Sequence, residues 1–213
     1  MATDTRERLL SGALDAVRDI GVARASARAI AGRAGVNQAL VFYHFGTVDQ
    51  LLAEACLDET QRRVESYRQV FDTVTSLREL LDVGRRVHAE ELAQGNVNVL
   101  AQMLAAAHTN ELLRDSTKES FRLSVAEIDF VLRRILAGSA LAGLVQPRPL
   151  AQSIAASFIG IELFEQVDPD GAAGALDELD RLAVIAEAFE ELGPVARRAV
   201  RARLSRRMAR VES

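Results

Sequence analysis

The stretch from Ser26 to Gly46 reads Ser-Ala-Arg-Ala-Ile-Ala-Gly-Arg-Ala-Gly-Val-Asn-Gln-Ala-Leu-Val-Phe-Tyr-His-Phe-Gly. It predicts two short helices joined by a tight turn. Ser26 is a good N-cap for the first helix, because its hydroxyl can accept a hydrogen bond from a free amide of the first turn. Gly35 can adopt the positive φ that a sharp turn after a helix requires. Asn37 then caps the second helix, so the segment predicts a helix-turn-helix.

The second of these helices is predicted to turn its polar and aromatic side chains outward. Leu40 and Val41 are its apolar positions and would anchor it to the first helix. The outward residues are then Gln38, Ala39, Phe42, Tyr43 and His44. They supply hydrogen-bond donors, small groups and aromatic edges but no carboxylate. Such a surface suits the major groove of double-stranded DNA.

Ile30-Ala31 through Gly35-Val36, followed by Leu40-Val41-Phe42-Tyr43-His44-Phe45-Gly46, resembles the N-terminal DNA-binding domain of TetR-family transcriptional repressors. The resemblance covers about residues 6 to 57, and its most specific part is the Tyr-x-Phe ending followed by Asp49-x-Leu51-Leu52. The family typically has a phosphate-binding Lys where this chain has Val48, so one DNA backbone contact is missing. The resemblance implies a ligand-responsive, dimeric repressor.

The predicted DNA contacts are Ser26, Arg28, Asn37, Gln38, Ala39, Leu40, Phe42, Tyr43 and His44. Gln38 is expected to read a base edge, because its amide can pair bidentately with adenine. Ala39 and Leu40 would lie against thymine methyl groups or the DNA backbone. Tyr43 and His44 would hold phosphates, which position the protein without reading sequence. The expected partner is double-stranded operator DNA.

The distribution of charge agrees with a separate DNA-reading head. Residues 1–46 hold six arginines and four acids, a net of +2, whereas the remainder holds 20 basic residues and 26 acids, a net of −6, which together give −4. A protein that wraps nucleic acid along its whole length would be basic throughout. The charge pattern therefore favours a DNA reader with a second domain of another function.

Several other classes of protein are disfavoured by the sequence. No apolar run approaches the length of a membrane span and no secretory signal is visible, so we expect a cytoplasmic protein without a membrane partner. Cys56 is the single cysteine, which excludes an intrachain disulfide. The three histidines lack metal-ligand spacing, and no nucleophile elbow or phosphate loop occurs. We therefore expect no metal, no cofactor and no enzymatic activity.

Helical patterns continue to the end of the chain. They predict an all-α fold. Residues 1–46 would form an N-terminal helix-turn-helix DNA-binding domain of three helices. Residues 47–193 would form a larger helical domain for ligand binding and dimerisation, and residues 194–213 a basic tail. Capping signatures at Thr47, Ser76 and Ser116 predict three helix starts. Pro147 and Pro149 predict a break in the chain, and Asp168-Pro-Asp-Gly predicts a turn.

The helices Leu150–Val167 and Ala175–Leu192 are the predicted homodimer interface. Two such helix pairs related by a two-fold axis would form a four-helix bundle. The first would present Ile154, Phe158, Ile161 and Val167, and the second would present Leu176, Leu179, Leu182, Ile185, Ala186 and Phe189. The alternative is that both helices fill the core of one monomer.

The predicted effector site combines apolar side chains with a few polar groups: His88, Gln102, Met103, His108, Phe121, Phe130 and Phe158. This composition suits a small hydrophobic or aromatic ligand. The alternative is an ordinary core with hydrogen-bonded histidines.

The predicted function is a sequence-specific transcriptional repressor that such a ligand releases from a palindromic operator. Alternative functions are a non-specific DNA-binding protein, or an all-helical small-molecule binding protein or enzyme. The seven arginines of the tail predict a basic amphipathic helix that contacts DNA or another anionic surface. The alternative is a solvated terminal helix that packs on the acidic body.

Overall fold

The computed structural model describes residues 2–137, 139, 141–190 and 192–208. Over these residues the chain forms ten α-helices and a short 3₁₀ turn at Val22–Arg24, and no strand, which confirms the all-α prediction. The helices are α1 Ala2–Ile20, α2 Ala27–Ala34, α3 Ala39–Phe45, α4 Val48–Thr73, α5 Leu77–Ala93, α6 Asn96–Ala107, α7 Glu111–Ala137, α8 Pro147–Glu165, α9 Pro169–Glu190 and α10 Pro194–Met208.

Two of the three predicted helix starts are confirmed by their capping hydrogen bonds. The Thr47 hydroxyl accepts from the Gln50 amide at 3.0 Å, and the Ser76 hydroxyl accepts from the Glu79 amide at 3.1 Å. At α5 the Glu79 carboxylate accepts from the Thr75 amide at 2.6 Å and from the Thr75 hydroxyl at 2.9 Å. These bonds to its charged form lower the pKa of Glu79.

The predicted helix start at Ser116 is wrong. Ser116 lies inside α7, where its hydroxyl donates to the Leu113 carbonyl at 3.1 Å. The actual cap is Asn110, whose side-chain oxygen accepts from the Leu112 and Leu113 amides at 3.0 and 3.2 Å. Asn at this position satisfies two amides of the first turn, so the helix begins earlier than the Ser-x-x-Glu pattern predicts.

The proline signals also proved to mark helix starts. Pro147 and Pro149 lie in the first turn of α8, where a proline sacrifices no intrahelical hydrogen bond. Likewise, Asp168 accepts from the Gly171 amide at 3.0 Å and caps α9, which begins at Pro169. The connection between α8 and α9 is therefore shorter than predicted.

The chain packs as two compact units, Met1–Ser66 with Ala89–Ser124 and Tyr67–His88 with Val125–Ser213. In the first unit, α1, α2 and α3 share one core with the beginning of α4, with α6 and with the beginning of α7. The core of the second unit includes Val74, Val131, Leu132 and Ala151. The domain boundaries that the sequence suggests, at 46/47 and 193/194, stay a prediction.

The crossing of α1 and α2 fixes the base of the first unit. A Cβ atom on Gly12 of α1 would lie 3.0 Å from both the Ala34 nitrogen and the Ile30 carbonyl oxygen of α2. The backbones therefore approach closely because Gly12 has no side chain. Ile30 and Ala31 are both buried in this contact region.

In the second unit, α8 and α9 pack against each other as an antiparallel pair. Ile161 faces inward and is buried. The exposed apolar residues are Phe164 of α8, Val167 just after α8, and Leu182, Val184 and Ile185 of α9. The side chain of Phe189 lies outside the described residues. No helix in the described ranges is long and apolar enough to cross a membrane.

The tail forms a helix, α10, as predicted, but the expected apolar stripe beneath it is not buried. Val195, Ala199, Val200 and Leu204 are all exposed, and the side chain of Met208 lies outside the described residues. Arg210 and Glu212 also lie outside the described part of the chain.

Candidate nucleic-acid interface

The turn between α2 and α3 has the hydrogen bonds that a helix-turn-helix requires. Ser26 accepts from the Ala29 amide at 3.2 Å and begins α2. Gly35 has a φ of +63°, and the Val36 amide donates back to the Ala31 carbonyl at 3.0 Å. This is a Schellman-type end, which reverses the chain in few residues. Asn37 then accepts from the Ala39 amide at 2.9 Å and begins α3, as the sequence predicts.

Arg8 on α1 contributes to this turn in a way that the sequence analysis missed. Its guanidinium donates to the Ala34 carbonyl at 2.5 Å and to the Gly35 carbonyl at 2.9 Å. A cation at a helix C-terminus satisfies free carbonyls and interacts favourably with the helix dipole. Arg8 therefore holds the end of α2, although its position on another helix gave no local sequence signal.

The α3 helix is fixed on one side and free on the other. Val41 and Phe45 are buried, and Leu40 is half-buried against the same core. The Arg6 guanidinium lies 5.2 Å from the centre of the Phe45 ring, at cation–π distance. The inner face of α3 thus leaves little freedom for the helix to rotate.

The outer face of α3 carries the residues that the sequence assigned to it. Gln38 and Ala39 are exposed at its start, Phe42 is 52% exposed and Tyr43 is 80% exposed. His44 is half-buried, and its ring meets the Tyr43 ring edge-on with 5.0 Å between centroids. The face therefore presents one amide, one phenol and one imidazole above a rigid base.

The other predicted contacts, Ser26, Arg28 and Asn37, are exposed near the same turn. The hydroxyl of Ser26 can still donate while its oxygen caps α2, and the side-chain nitrogen of Asn37 remains available while its oxygen caps α3. Val48, at the position of the missing lysine, is partly buried against the core. The structure gives the positions of these side chains, whereas their contact with DNA stays a prediction.

The electrostatics of this surface favour an anionic partner. No Asp or Glu occurs between Asp19 and Asp49, whereas Arg24, Arg28 and Arg33 fall within that interval. Arg33 pairs with Asp19 at 3.2 Å, and Arg24 donates to the Ile20 carbonyl at 2.8 Å. The charge of Arg28 is exposed at the beginning of α2, where the positive end of the helix dipole adds to it.

A comparison with known families decides how this unit is classified. Residues 9–55 match the family described as "Bacterial regulatory proteins, tetR family". This N-terminal segment is similar to the TetR family. The match covers most of α1 and all of α2 and α3, so the helix-turn-helix described above lies within the segment that resembles the family.

Curated relatives match about half of the chain. An uncharacterized HTH-type transcriptional regulator of Mycobacterium tuberculosis is 30% identical over 114 residues, which cover 53% of this chain and 58% of that protein. The match thus spans less than two thirds of the curated relative.

Solved structures resemble the chain over most of its length. A TetR-family regulator from Rhodococcus sp. shares the fold with a TM-score of 0.71 at 22% identity, covering 86% of this chain and 98% of that one. SmeT in complex with triclosan has a TM-score of 0.63 at 22% identity, covering 82% and 89%. At these identities the likeness shows the TetR fold.

Four of the predicted effector residues belong to the first unit. Met103 is fully buried in its core and Phe121 is half-buried, whereas Gln102 and His108 are exposed. The Gln102 amide lies against Gly21, whose φ is +78°, at the end of α1. Their role in ligand binding stays a prediction.

The other three, His88, Phe130 and Phe158, belong to the second unit. Phe130 is exposed, and Phe158 lies so close to Gly84 of α5 that a Cβ atom there would displace its ring. His88 is buried between two carboxylates of α8, with Nε2 2.7 Å from Glu165 and Nδ1 3.6 Å from Glu162. The first contact has an ion-pair distance but is not aligned as a hydrogen bond, and Nδ1 has no hydrogen-bond partner among the described residues.

Cys56 has the surroundings of a structural side chain. Its Sγ lies 3.8 Å from the Ser120 hydroxyl, within the first unit. Burial raises the pKa of the Cys56 thiol, and the Ser120 hydroxyl only partly offsets that effect. A thiol with a raised pKa is a poor nucleophile near neutral pH.

Proposed function

We propose that this protein is a dimeric transcriptional repressor that recognises a palindromic operator and is released from it by a small hydrophobic or aromatic ligand. The observation that supports DNA recognition most strongly is the outer face of α3. Gln38, Phe42 and Tyr43 are exposed there on a helix whose inner face is fixed, in a segment without carboxylates. Preorganised donors on a short, rigid helix are what base readout in a major groove requires.

The roles proposed for these side chains differ. Gln38 at the start of α3 can pair with adenine and thereby contributes specificity. Tyr43 and Ser26 contact phosphates, which contribute affinity and register. Arg28, exposed at the beginning of α2, supplies a further backbone contact in place of the lysine that Val48 replaces.

The α8 and α9 helices are the proposed dimer interface. Val167 is 82% exposed, Leu182 60% and Ile185 65%, so the pair has a large apolar surface that burial against a second copy would stabilise. Contacts of this kind place two recognition helices on two half-sites. The residues proposed for this interface differ in part from those that the sequence suggested, since Ile161 is buried within the unit and Phe164 is exposed.

Sedimentation measurements test this interface. Ile185→Glu is expected to shift the protein from dimer to monomer, because it would bury an unpaired charge, while the helical content is unchanged. Leu112→Glu, at another exposed apolar residue, is the matched control and should leave the dimer intact. A dimer that tolerates Ile185→Glu at micromolar concentration contradicts the proposed interface.

The ligand response is proposed from the family and from the SmeT structure, which holds triclosan. A ligand shifts a repressor between two states only through different affinities for them. We expect ligand binding to move α4, change the spacing of the two recognition helices and lower operator affinity. The coupling is of order 1–3 kcal/mol and is reciprocal, so the operator weakens ligand binding by the same factor.

The test is a panel of hydrophobic and aromatic compounds ranked by thermal shift. Compounds that stabilise the protein are then titrated against the protein–operator complex. Release of the operator at saturating ligand supports the proposal. A tight ligand that leaves operator affinity unchanged contradicts the proposed regulation without affecting the assignment of α3.

A further inference from the structure

The α10 helix is the most strongly charged segment of the described chain. Pro194–Met208 contains six arginines and no acidic residue, whereas the whole chain has a net charge of −4. The positive charges of such a helix repel one another and other cationic segments, and they attract polyanions. None of the roles proposed above uses these arginines.

The arginines of α10 are accessible. Arg198, Arg203 and Arg206 are exposed, and within the described part of the chain no carboxylate lies at ion-pair distance from any of them. Arg201 is held differently, because its guanidinium donates to the Ala142 carbonyl and thereby ties α10 to the connection between α7 and α8. The helix is therefore attached to its unit while three of its cations face solvent.

The distribution of side chains around α10 indicates which polyanion it fits. With about 100° per residue, the four described arginines spread over roughly 200° of the helix circumference. Val195 lies among them. Val200, Leu204 and Met208 occupy positions on the remaining side, but the positions of Arg197 and Arg207 fall on that side as well and interrupt the apolar row. A helix that binds a membrane surface needs a continuous face of bulky apolar side chains, often aromatic. The α10 helix lacks such a face and contains no aromatic residue.

We propose that α10 is a second DNA-binding element that contacts backbone phosphates without reading sequence. The guanidinium group matches phosphate oxygens in planar, bidentate hydrogen bonds, which explains why a phosphate backbone suits an arginine helix. This inference rests on the proposed DNA-binding function, because that function brings DNA to the protein. The contact of α10 with phosphates would add affinity for DNA, and a salt dependence of binding, beyond what α3 alone supplies.

The size of the effect follows from counterion release. Each phosphate neutralised on a DNA duplex adds about 0.9 to the slope of log K against log salt concentration. If Arg198, Arg203 and Arg206 contact phosphates, their loss lowers the slope by about 0.9 to 2.7 per protomer. For the larger value, the arginines contribute about 40-fold of the affinity lost between 50 and 200 mM salt.

The test compares two full-length triple variants. One carries Arg198→Gln, Arg203→Gln and Arg206→Gln, and the control carries glutamine at three exposed arginines outside α10, namely Arg62, Arg78 and Arg122. Both variants lose three positive charges. Affinity for an operator duplex and for a random-sequence duplex is measured at four salt concentrations, and circular dichroism and sedimentation check fold and assembly.

The α10 variant is expected to show a smaller salt slope on both duplexes, with the preference for the operator unchanged, while the control keeps the slope of the original protein. An unchanged slope in a folded α10 variant overturns the proposal. Binding to duplex RNA and to anionic vesicles is measured in parallel, and an effect of the three substitutions on either of these without an effect on DNA also overturns the proposal. A protein that never prefers one DNA sequence contradicts the proposed repressor function, and the comparison of slopes still decides the role of α10.

Discussion

The close crossing of α1 and α2 makes Gly12 and Gly32 a matched pair for mutation. Both glycines lie inside helices of the DNA-binding domain, so Gly→Ala gains the same helix propensity at each, about 0.5–1 kcal/mol. Their surroundings differ. A Cβ atom on Gly12 would lie 3.0 Å from two backbone atoms of α2, whereas a Cβ atom on Gly32 would have no neighbour within 4 Å.

The two substitutions are therefore expected to have opposite signs. Gly32→Ala stabilises by about 0.5–1 kcal/mol, because only the propensity changes. Gly12→Ala adds overpacking of about 1–3 kcal/mol, since the backbone of α2 must shift to admit the methyl group. Its net effect is a destabilisation of up to about 2.5 kcal/mol, and the difference between the variants reports the overpacking term alone.

Urea unfolding followed by circular dichroism measures both changes, and hydrogen exchange of the α1 and α2 amides shows whether the effect is local. Hydrogen exchange is needed because two compact units need not unfold in one step. Gly12→Ala is expected to weaken amide protection in α1 and α2 together. If it stabilises the domain as much as Gly32→Ala does, the close approach of the two helices has no energetic consequence and the reasoning is refuted.

Three further predictions follow from single contacts. In DNA titrations, Tyr43→Phe should weaken binding equally on all sequences, whereas Gln38→Ala should relax the preference at one base pair by about 1–3 kcal/mol. If both substitutions changed sequence preference equally, the assignment of Tyr43 to phosphates and of Gln38 to a base would be wrong. Asn110 caps α7, and its side-chain nitrogen donates to Asp49 at 2.7 Å. Asn110→Asp should therefore lower thermal stability, and Asp49→Asn in that background should restore it. Effects of the two substitutions on stability that simply add would refute the contact. Because burial raises the pKa of the Cys56 thiol, its alkylation should be slower in the native protein than in the urea-unfolded chain. The alkylation rate of the native protein should increase as the pH rises above the ordinary pKa range of a thiol. Equal rates in the native and unfolded states would contradict the burial of Cys56.

The sequence predicted the helix-turn-helix well because its signals are local. Ser26, Gly35 and Asn37 each act through hydrogen bonds or dihedral angles within a few residues, so their types determine the turn directly. The all-helical fold followed for the same reason, from apolar periodicity and caps. Pro147 and Pro149 follow a break between α7 and α8, as predicted, but they lie in the first turn of α8. The error at Asp168 arose because an Asp-Pro pair that is typical of a turn can equally begin a helix.

Contacts between distant segments left no such signal. Arg8 holds the end of α2 from 26 residues away, and Gly12 is small because α2 crosses there. The burial of His88 between Glu162 and Glu165 likewise depends on how α5 meets α8. Composition can suggest a set of pocket residues, but it cannot say which of them pack into a core and which remain exposed, as Met103 and Phe130 show.

Selection of bound fragments from random double-stranded DNA tests the central claim most directly. The protein is incubated with the random duplexes, bound fragments are enriched over several rounds, and the complexes are sized by sedimentation. The account predicts a pseudo-palindrome bound by a dimer, with half-site centres about 34–36 Å apart or a small multiple of that distance. Fragments without a common motif, or single asymmetric half-sites bound by a monomer, would contradict it.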